Sequence, residues 1–312
     1  MEGSNRGRLR GVARATDLVR RGGRNLDELR AAASRRGFKA VPLAIRAAAT
    51  LTQHSSRKTA ANVVGVIKGS NTPDEAVVYS AHWDHFGMRD PQPTDKPDTD
   101  RIFNGAYDNA SGCAGVLEIA KAFAKAPQKP ARSIYFVFVT GEESGLLGSG
   151  YFAANPPVPM AKVAANINID EINPYGRATD MVQLGSERSS IGPMIEALLK
   201  ERSRTLTGDE HPERGYFFRS DHFPFAKAGV PAISISEPKK FIGPNAAELL
   251  KKQEAFNDTR YHQPSDEFDP TWDFAGGVDD MRVLAQLGWR LAQQPAMPTY
   301  NAGDQFAEVR KK

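Results

Sequence analysis

The chain has 312 residues, 40% of them hydrophobic and 25% charged, with 27 glycines, 21 prolines and a single cysteine. Those proportions exclude a collagen-like, coiled-coil or wholly disordered chain, and the length suffices to bury a sizeable core. One cysteine excludes both an internal disulfide framework and a zinc site built from several thiolates, while the net charge of +4 hides two compositions. Residues 1–58 hold 14 Lys/Arg against 4 Asp/Glu, whereas the remaining 254 residues hold 27 against 33. The basic part therefore needs its own explanation.

No apolar run approaches the ~20 residues of a membrane-spanning helix. The start carries Arg6, Arg8, Arg10 and Arg14 with no apolar stretch behind them, so it does not read as a secretory signal. Residues 25–37 predict a short helix with Asn25 as N-cap and Gly37 as its stop. Residues 41–53 are Ala-rich without a clear period. NVVGVIKG (62–69) and AVVYSAHW (76–83) are β-rich runs joined by a polar turn, which predicts an antiparallel hairpin. The Pro/Asp-rich stretch 88–100 is a loop. Helical spacing over 111–126 puts Val116, Ile119, Ala120 and Phe123 on one face. SIYFVFVT (133–140) is apolar on both faces, as a central strand should be, and KVAANINID (162–170) is another strand. Residues 189–202 predict a helix, 232–236 a strand, 237–260 a loop and 272–294 a closing amphipathic helix. This alternation predicts an α/β fold: a mixed, mostly parallel central sheet with an antiparallel edge and helices on both faces.

The chemistry-bearing residues sit where apolar strands stop, which is where open α/β sheets bind ligands. SAHWDH offers His82, Asp84 and His85; TGEESG offers Glu142 and Glu143; NIDEIN offers Asp170 and Glu171; and FNGAYDNASG places Asp108 just ahead of a helix. Several carboxylates at one sheet edge repel one another unless something positive lies among them, and the clusters hold no Lys or Arg apart from the more distant Arg219. One or two divalent metals would resolve this. Imidazole and carboxylate donors without thiolate suit zinc, with cobalt or manganese as substitutes. TRYHQPSDEFD adds His262, a second imidazole, so that each of two metals would have one. Taken singly, each piece has a blander reading as a turn, a helix cap or a solvated pair. Their joint order, each at a strand end or helix start, argues for a site.

At these residues the sequence resembles the co-catalytic zinc peptidases that include bacterial leucyl aminopeptidase, aminopeptidase Y and glutamate carboxypeptidase. The resemblance rests on SAHWDHFG, NGAYDNASGCAGVLEIA, FVFVTGEESGLLGSGYF, NINID, RSDHFPFAKAGVPAISI and YHQPSDEFD, in the family's order over about residues 59–295. It implies the phosphorylase/hydrolase-like fold of zinc-dependent exopeptidases. It further implies that His82 and Asp170 bind one zinc, Glu143 and His262 the other, and Asp108 bridges both. Asp84 would be the carboxylate that orients His82. Glu142 would be the general base that takes a proton from the water bridging the metals and delivers it to the leaving amine. Tyr216 is the candidate oxyanion partner, although it stands one position away from the family's tyrosine. Asp221 and His222 suit helix capping and packing as well as substrate contact. Cys113 reads as a small packed residue, and His54, His85 and His211 as surface or packing residues.

The resemblance implies a metal-dependent aminopeptidase acting on peptides. A carboxypeptidase would need basic clamps for a substrate carboxylate, and Arg219 is the only basic residue near a motif. A glutaminyl cyclase would use a single zinc. Nucleic-acid binding through the basic N-terminus is disfavoured, because that stretch shows no binding motif and its aromatics are limited to Phe38. The resemblance also suggests a secreted or periplasmic home. It divides the chain into a basic segment at 1–58, expected to be the remnant of an upstream region, a catalytic domain at 59–297 and a tail at 298–312.

Overall fold

A computed structural model describes residues 2–46, 48–53 and 57–310. The chain divides into two compact units, residues 1–59 and 60–312. In the first, helices α1 (Glu2–Arg21) and α2 (Leu26–Ala33) are followed by described residues with no regular structure. Asn25 caps α2 as expected, its side chain accepting from the Asp27 and Glu28 backbone N–H groups, and Gly37 lies beyond its end at φ +87°. No helix among the described residues is long and apolar enough to cross a membrane.

Among the described residues the second unit has nine strands: β1 (Val63–Ile67), β2 (Thr72–His82), β3 (Gly87–Met88), β4 (Ile102–Phe103), β5 (Arg132–Val139), β6 (Val163–Asn168), β7 (Asp180–Leu184), β8 (Thr205–Thr207) and β9 (Ala232–Ser236). Seven form one sheet in the order β1-β5-β2-β6-β9-β7-β8, while β3 and β4 pair separately. Strands β5, β2, β6 and β9 run parallel at its centre. The predicted β1–β2 hairpin does not form. β5 lies between the two strands, antiparallel to β1 and parallel to β2. The intervening residues explain why: Ser70, Asn71 and Thr72 donate their backbone N–H groups to the Pro130 and Ala131 carbonyls, so the chain crosses the start of β5 instead of folding back on β1.

Helices cover both faces. Against one lie α3 (Gly112–Ala124), α5 (Ile191–Lys200) and α8 (Ala275–Gln293), which bury Val116, Ile119, Ile195, Leu198, Leu284 and Leu287. Against the other lie α4 (Leu147–Ala154) and α6 (His222–Lys227), together with Tyr300 and Phe306 from the C-terminal stretch. The expected loop at 237–260 contains a further helix, α7 (Ala246–Thr259), of which only Gln253 and Phe256 are buried.

Arg132, at the first position of β5, is almost wholly buried. Its Nε donates to Glu75 at 2.6 Å, and its Nη atoms donate to the carbonyls of Leu291, Gln294 and Pro295, where α8 ends. A cation there meets the negative end of the helix and its unpaired carbonyls. Arg132→Ala would leave those acceptors and Glu75 without their donor. It should cost about 3 kcal/mol, read as a lower midpoint in urea unfolding; an unshifted midpoint would show that the anchor contributes nothing.

Candidate metal centre

Strand register brings the site together. β2 and β6 pair Ser80 with Asn168, so residues two places further on, His82 and Asp170, emerge at the same level and on the same face. On its other side β2 pairs His82 with Val139, the last residue of β5, and the turn that follows carries Glu142 and Glu143. Asp108 enters from the loop ahead of α3. That loop is stitched to the end of β6: Asn109 donates to the Ile169 carbonyl and accepts from the Gly112 and Glu171 N–H groups, while Ser111 accepts from the Ile172 N–H. The approach is so close that a Cβ on Gly112 would collide with the Asn109 Oδ1 and the Ile169 carbonyl oxygen. The NASG residues therefore act as more than a helix cap.

The donor atoms converge. His82 Nε2 lies 3.0 Å from Asp108 Oδ1 and 3.2 Å from Asp170 Oδ1, and His262 Nε2 lies 3.1 Å from Asp108 Oδ2 and 3.4 Å from Glu143 Oε2. Asp108 thus presents one oxygen to each imidazole, with its side chain 5% exposed. Burial opposes its charge, but His262 and then His82 outweigh burial and hold its carboxyl below the usual range. Burial likewise opposes the charge of His82, and Asp108 and Asp170 nonetheless raise its pKa well above the ordinary value. For Glu142 the pull of His82 is too small to compensate: burial, followed by the Asp170 carboxylate, pushes it up to about 9. The arrangement places several acids where positive charge is wanted.

The remaining expected residues fall as follows. The His82 Nδ1 lies 2.9 Å from the backbone carbonyl of Asp84, so the main chain orients this ring, in place of the Asp84 carboxylate expected from the sequence. The chain turns sharply enough after β2 to bring that carbonyl back to the ring, while Asp84 Oδ1 is buried without a hydrogen bond among the described residues. A carbonyl only accepts, so the Nδ1 carries a hydrogen, and Nε2 is the ring nitrogen turned toward Asp108 and Asp170. Tyr216 lines the same cleft of about 1100 Å³, and its hydroxyl accepts from Arg214 at 3.4 Å. Asp221 and His222 are both fully buried; Asp221 accepts from Ser149 Oγ and so ties α6 to α4. Cys113 donates to the His82 carbonyl, and burial pushes its thiol up to about 11, consistent with a packed residue. His211 is exposed beside Glu213, and His54 lies outside the described residues.

Two participants were not expected from the sequence. Ser220 donates to Asp170 Oδ2 at 2.5 Å and accepts from Asn168, which continues through Ser80 to Asn166 as a buried polar chain beneath the site. The signal for it was only its place ahead of Asp221-His222. His85, expected at the surface or in packing, has a side chain 5% exposed, with Nδ1 2.6 Å from Glu143 Oε1.

His222 lends itself to a pH test. Burial, together with Arg188 and against the pull of Asp170, lowers its pKa to about 3. The unfolded chain therefore takes up a proton below about pH 6.5 that the folded chain refuses, and stability falls as pH drops through that window. In metal-free protein, wild type should lose about 2–3 kcal/mol more than His222→Leu between pH 7 and 4.5, measured by urea unfolding at each pH. Parallel losses would discount His222.

Comparison with known proteins accords with this geometry. The model of peptidase family M28 matches residues 62–283, and the chain belongs to that family. A probable zinc metalloprotease of Leptosphaeria maculans is 27% identical over 267 residues, covering 76% of this chain and 58% of that protein. The leupeptin-inactivating enzyme 1 of Streptomyces exfoliatus is 35% identical over 213 residues, covering 66% of this chain and 46% of its own length. The chain thus spans little more than half the length of the curated relatives it matches. The fold is shared with the LapA aminopeptidase of Legionella pneumophila (TM-score 0.54, 20% identity, 75% of this chain and 56% of that one). It is shared too with a zinc aminopeptidase from Bacillus subtilis (TM-score 0.52, 21% identity, 75% and 51%).

Proposed function

We propose that this chain is a two-zinc aminopeptidase that removes N-terminal residues from peptides. The donor set fits two zinc ions: His82, Asp108 and Asp170 would hold one, and Asp108, Glu143 and His262 the other, with Asp108 shared. The buried Glu143 Oε1, which lacks a hydrogen bond among the described residues, is the kind of orphaned acceptor that a cation satisfies. Bound zinc would supply Lewis acidity toward the scissile carbonyl and lower the pKa of the attacking water.

The protein's own groups do the rest. Glu142, adjacent to Glu143 on the turn after β5, lines the cleft and is the base that accepts the water's proton and returns it to the departing amine. Ser220 holds the Asp170 carboxylate in position by donating to its second oxygen. The observation that favours an aminopeptidase is the charge along the cleft: beside the metal donors and the base, Glu171 and Glu237 are half-buried acids lining it, suited to an α-ammonium group, whereas Arg214, Arg219 and Lys239 on its walls are solvent-exposed.

Those cations also support a second reading. Arg214 and Lys239 join Arg219 on the cleft, more basic residues than the motifs alone suggested, and a carboxypeptidase would use them to hold a substrate carboxylate. One assay separates the two. Chelator-stripped, zinc-reloaded protein is offered amino-acid p-nitroanilides, their N-acetylated forms, and peptides with free C-termini but blocked N-termini. Zinc-dependent release from the free-amine substrates alone is expected. Cleavage of N-blocked peptides from the C-terminus would reverse the assignment, and turnover without metal would end it.

A further inference from the structure

We infer that His85 is an additional protein ligand at the Glu143 position, beyond the five donors that the family resemblance assigns. The inference rests on the two-zinc reading above. The first observation is placement. The His85 ring is packed against Phe86, with centroids 4.8 Å apart, and against Phe103 at 6.2 Å. It is also held over Gly105, where a Cβ would stand 3.0 Å from its Cγ and where φ is +62°. Its side chain has nowhere to swing to.

The second observation is what the ring faces. Its Nδ1 is 2.6 Å from Glu143 Oε1, yet neither ring nitrogen nor that oxygen makes an aligned hydrogen bond, although all three atoms are buried. A buried imidazole and a buried carboxylate oxygen left unpaired each cost free energy, and a cation accepting a lone pair from both removes the cost. Ligand atoms of His85, Asp108 and Glu143 lie within 4.8 Å of one another, as do those of His82, Asp108 and Asp170. His262 approaches the same Asp108 and Glu143 carboxylates, with its ring centroid 5.8 Å from that of His85.

The two positions are therefore unequal. One has three protein donors, with a single imidazole; the other has four, with two imidazoles. A site with an extra neutral nitrogen donor binds a borderline-soft ion such as zinc more tightly, so the Glu143 position is the one that keeps its ion longer.

The test counts imidazoles without using turnover. In the full chain loaded with cobalt(II), proton NMR shows one exchangeable, hyperfine-shifted ring N–H signal for each coordinated histidine. Three are expected from wild type, for His82, His85 and His262, and two from His85→Gln. In competition with a chelator, His85→Gln should also weaken one of the two ions at least tenfold and leave the other unchanged. Two cobalt ions with only two ring signals in wild type would overturn the assignment while leaving the two-metal reading intact. Uptake of a single cobalt ion by wild type would instead overturn the two-metal reading itself. The wild-type signal count stands even if the variant folds poorly.

Discussion

Glu142→Gln should reduce kcat by two to four orders of magnitude while the zinc content, KM and thermal unfolding stay close to wild type. The expectation follows from the turn after β5: Glu143 lies among the clustered donors, 3.4 Å from His262 Nε2, whereas Glu142 lines the cleft outside that cluster. Glutamine keeps the shape and volume of the side chain but cannot take a proton from the attacking water. Without a metal ion, burial reinforced by Asp170 pushes Glu142 up to about 9, which would leave it protonated and unable to accept a proton at neutral pH. Positive charge alongside favours its ionised form and lowers that value, so the fraction of Glu142 free to accept a proton at neutral pH should rise with metal loading. Zinc analysis beside steady-state kinetics checks this. A variant that turns over at the wild-type rate would remove Glu142 from the mechanism.

Asp108→Ala should have the other large effect, lowering bound zinc below two ions per chain after gel filtration and reducing hydrolysis to background. Asp108 presents an oxygen to the imidazole of each half of the site, His82 at 3.0 Å and His262 at 3.1 Å, so both positions lose a donor at once. The fold should survive, because the loop is held through its backbone: Asp266 accepts the Tyr107 and Asp108 N–H groups, and Asn109 bonds to Ile169. An unchanged circular dichroism spectrum with zinc lost is the expected pair of results. Retention of both ions would show that Asp108 bridges nothing.

Helix α3, the buried strands β5, β6 and β9, and helix α8 were legible in the sequence because each carries a strong periodic or continuous apolar signal that its local packing obeys. β1 was legible as a strand but not in its pairing, since nothing in NVVGVIKG records that Gly69 will bond to Ser133, and Ser70–Thr72 to Pro130 and Ala131. β7 and β8 are short and mixed in character, and α7 buries too little apolar surface for its sequence to show a face. The resemblance pointed to the residues of the site because metal chemistry restricts which side chains stand at strand ends. Their partners were hidden. His85 reaches Glu143 only once Phe103 and Gly105 have closed around its ring, and the His82 ring meets the Asp84 carbonyl because of the path of the main chain, which no side-chain motif records.

The Asp266 carboxylate has a consequence for anyone reshaping this cleft. It sits four residues after His262 and grips two successive peptide N–H groups of the Asp108 loop, at 2.9 and 3.0 Å. The two loops, 158 residues apart along the chain at Asp108 and Asp266, therefore behave as one mechanical piece. Grafting either loop alone from a relative would break the tether and let the spacing between His262 and Asp108 drift. Exchanging them as a pair would carry that spacing along intact. Selectivity in this scaffold should thus be engineered in the walls around Arg214 and Lys239, where the chain can be rebuilt without disturbing the tethered pair.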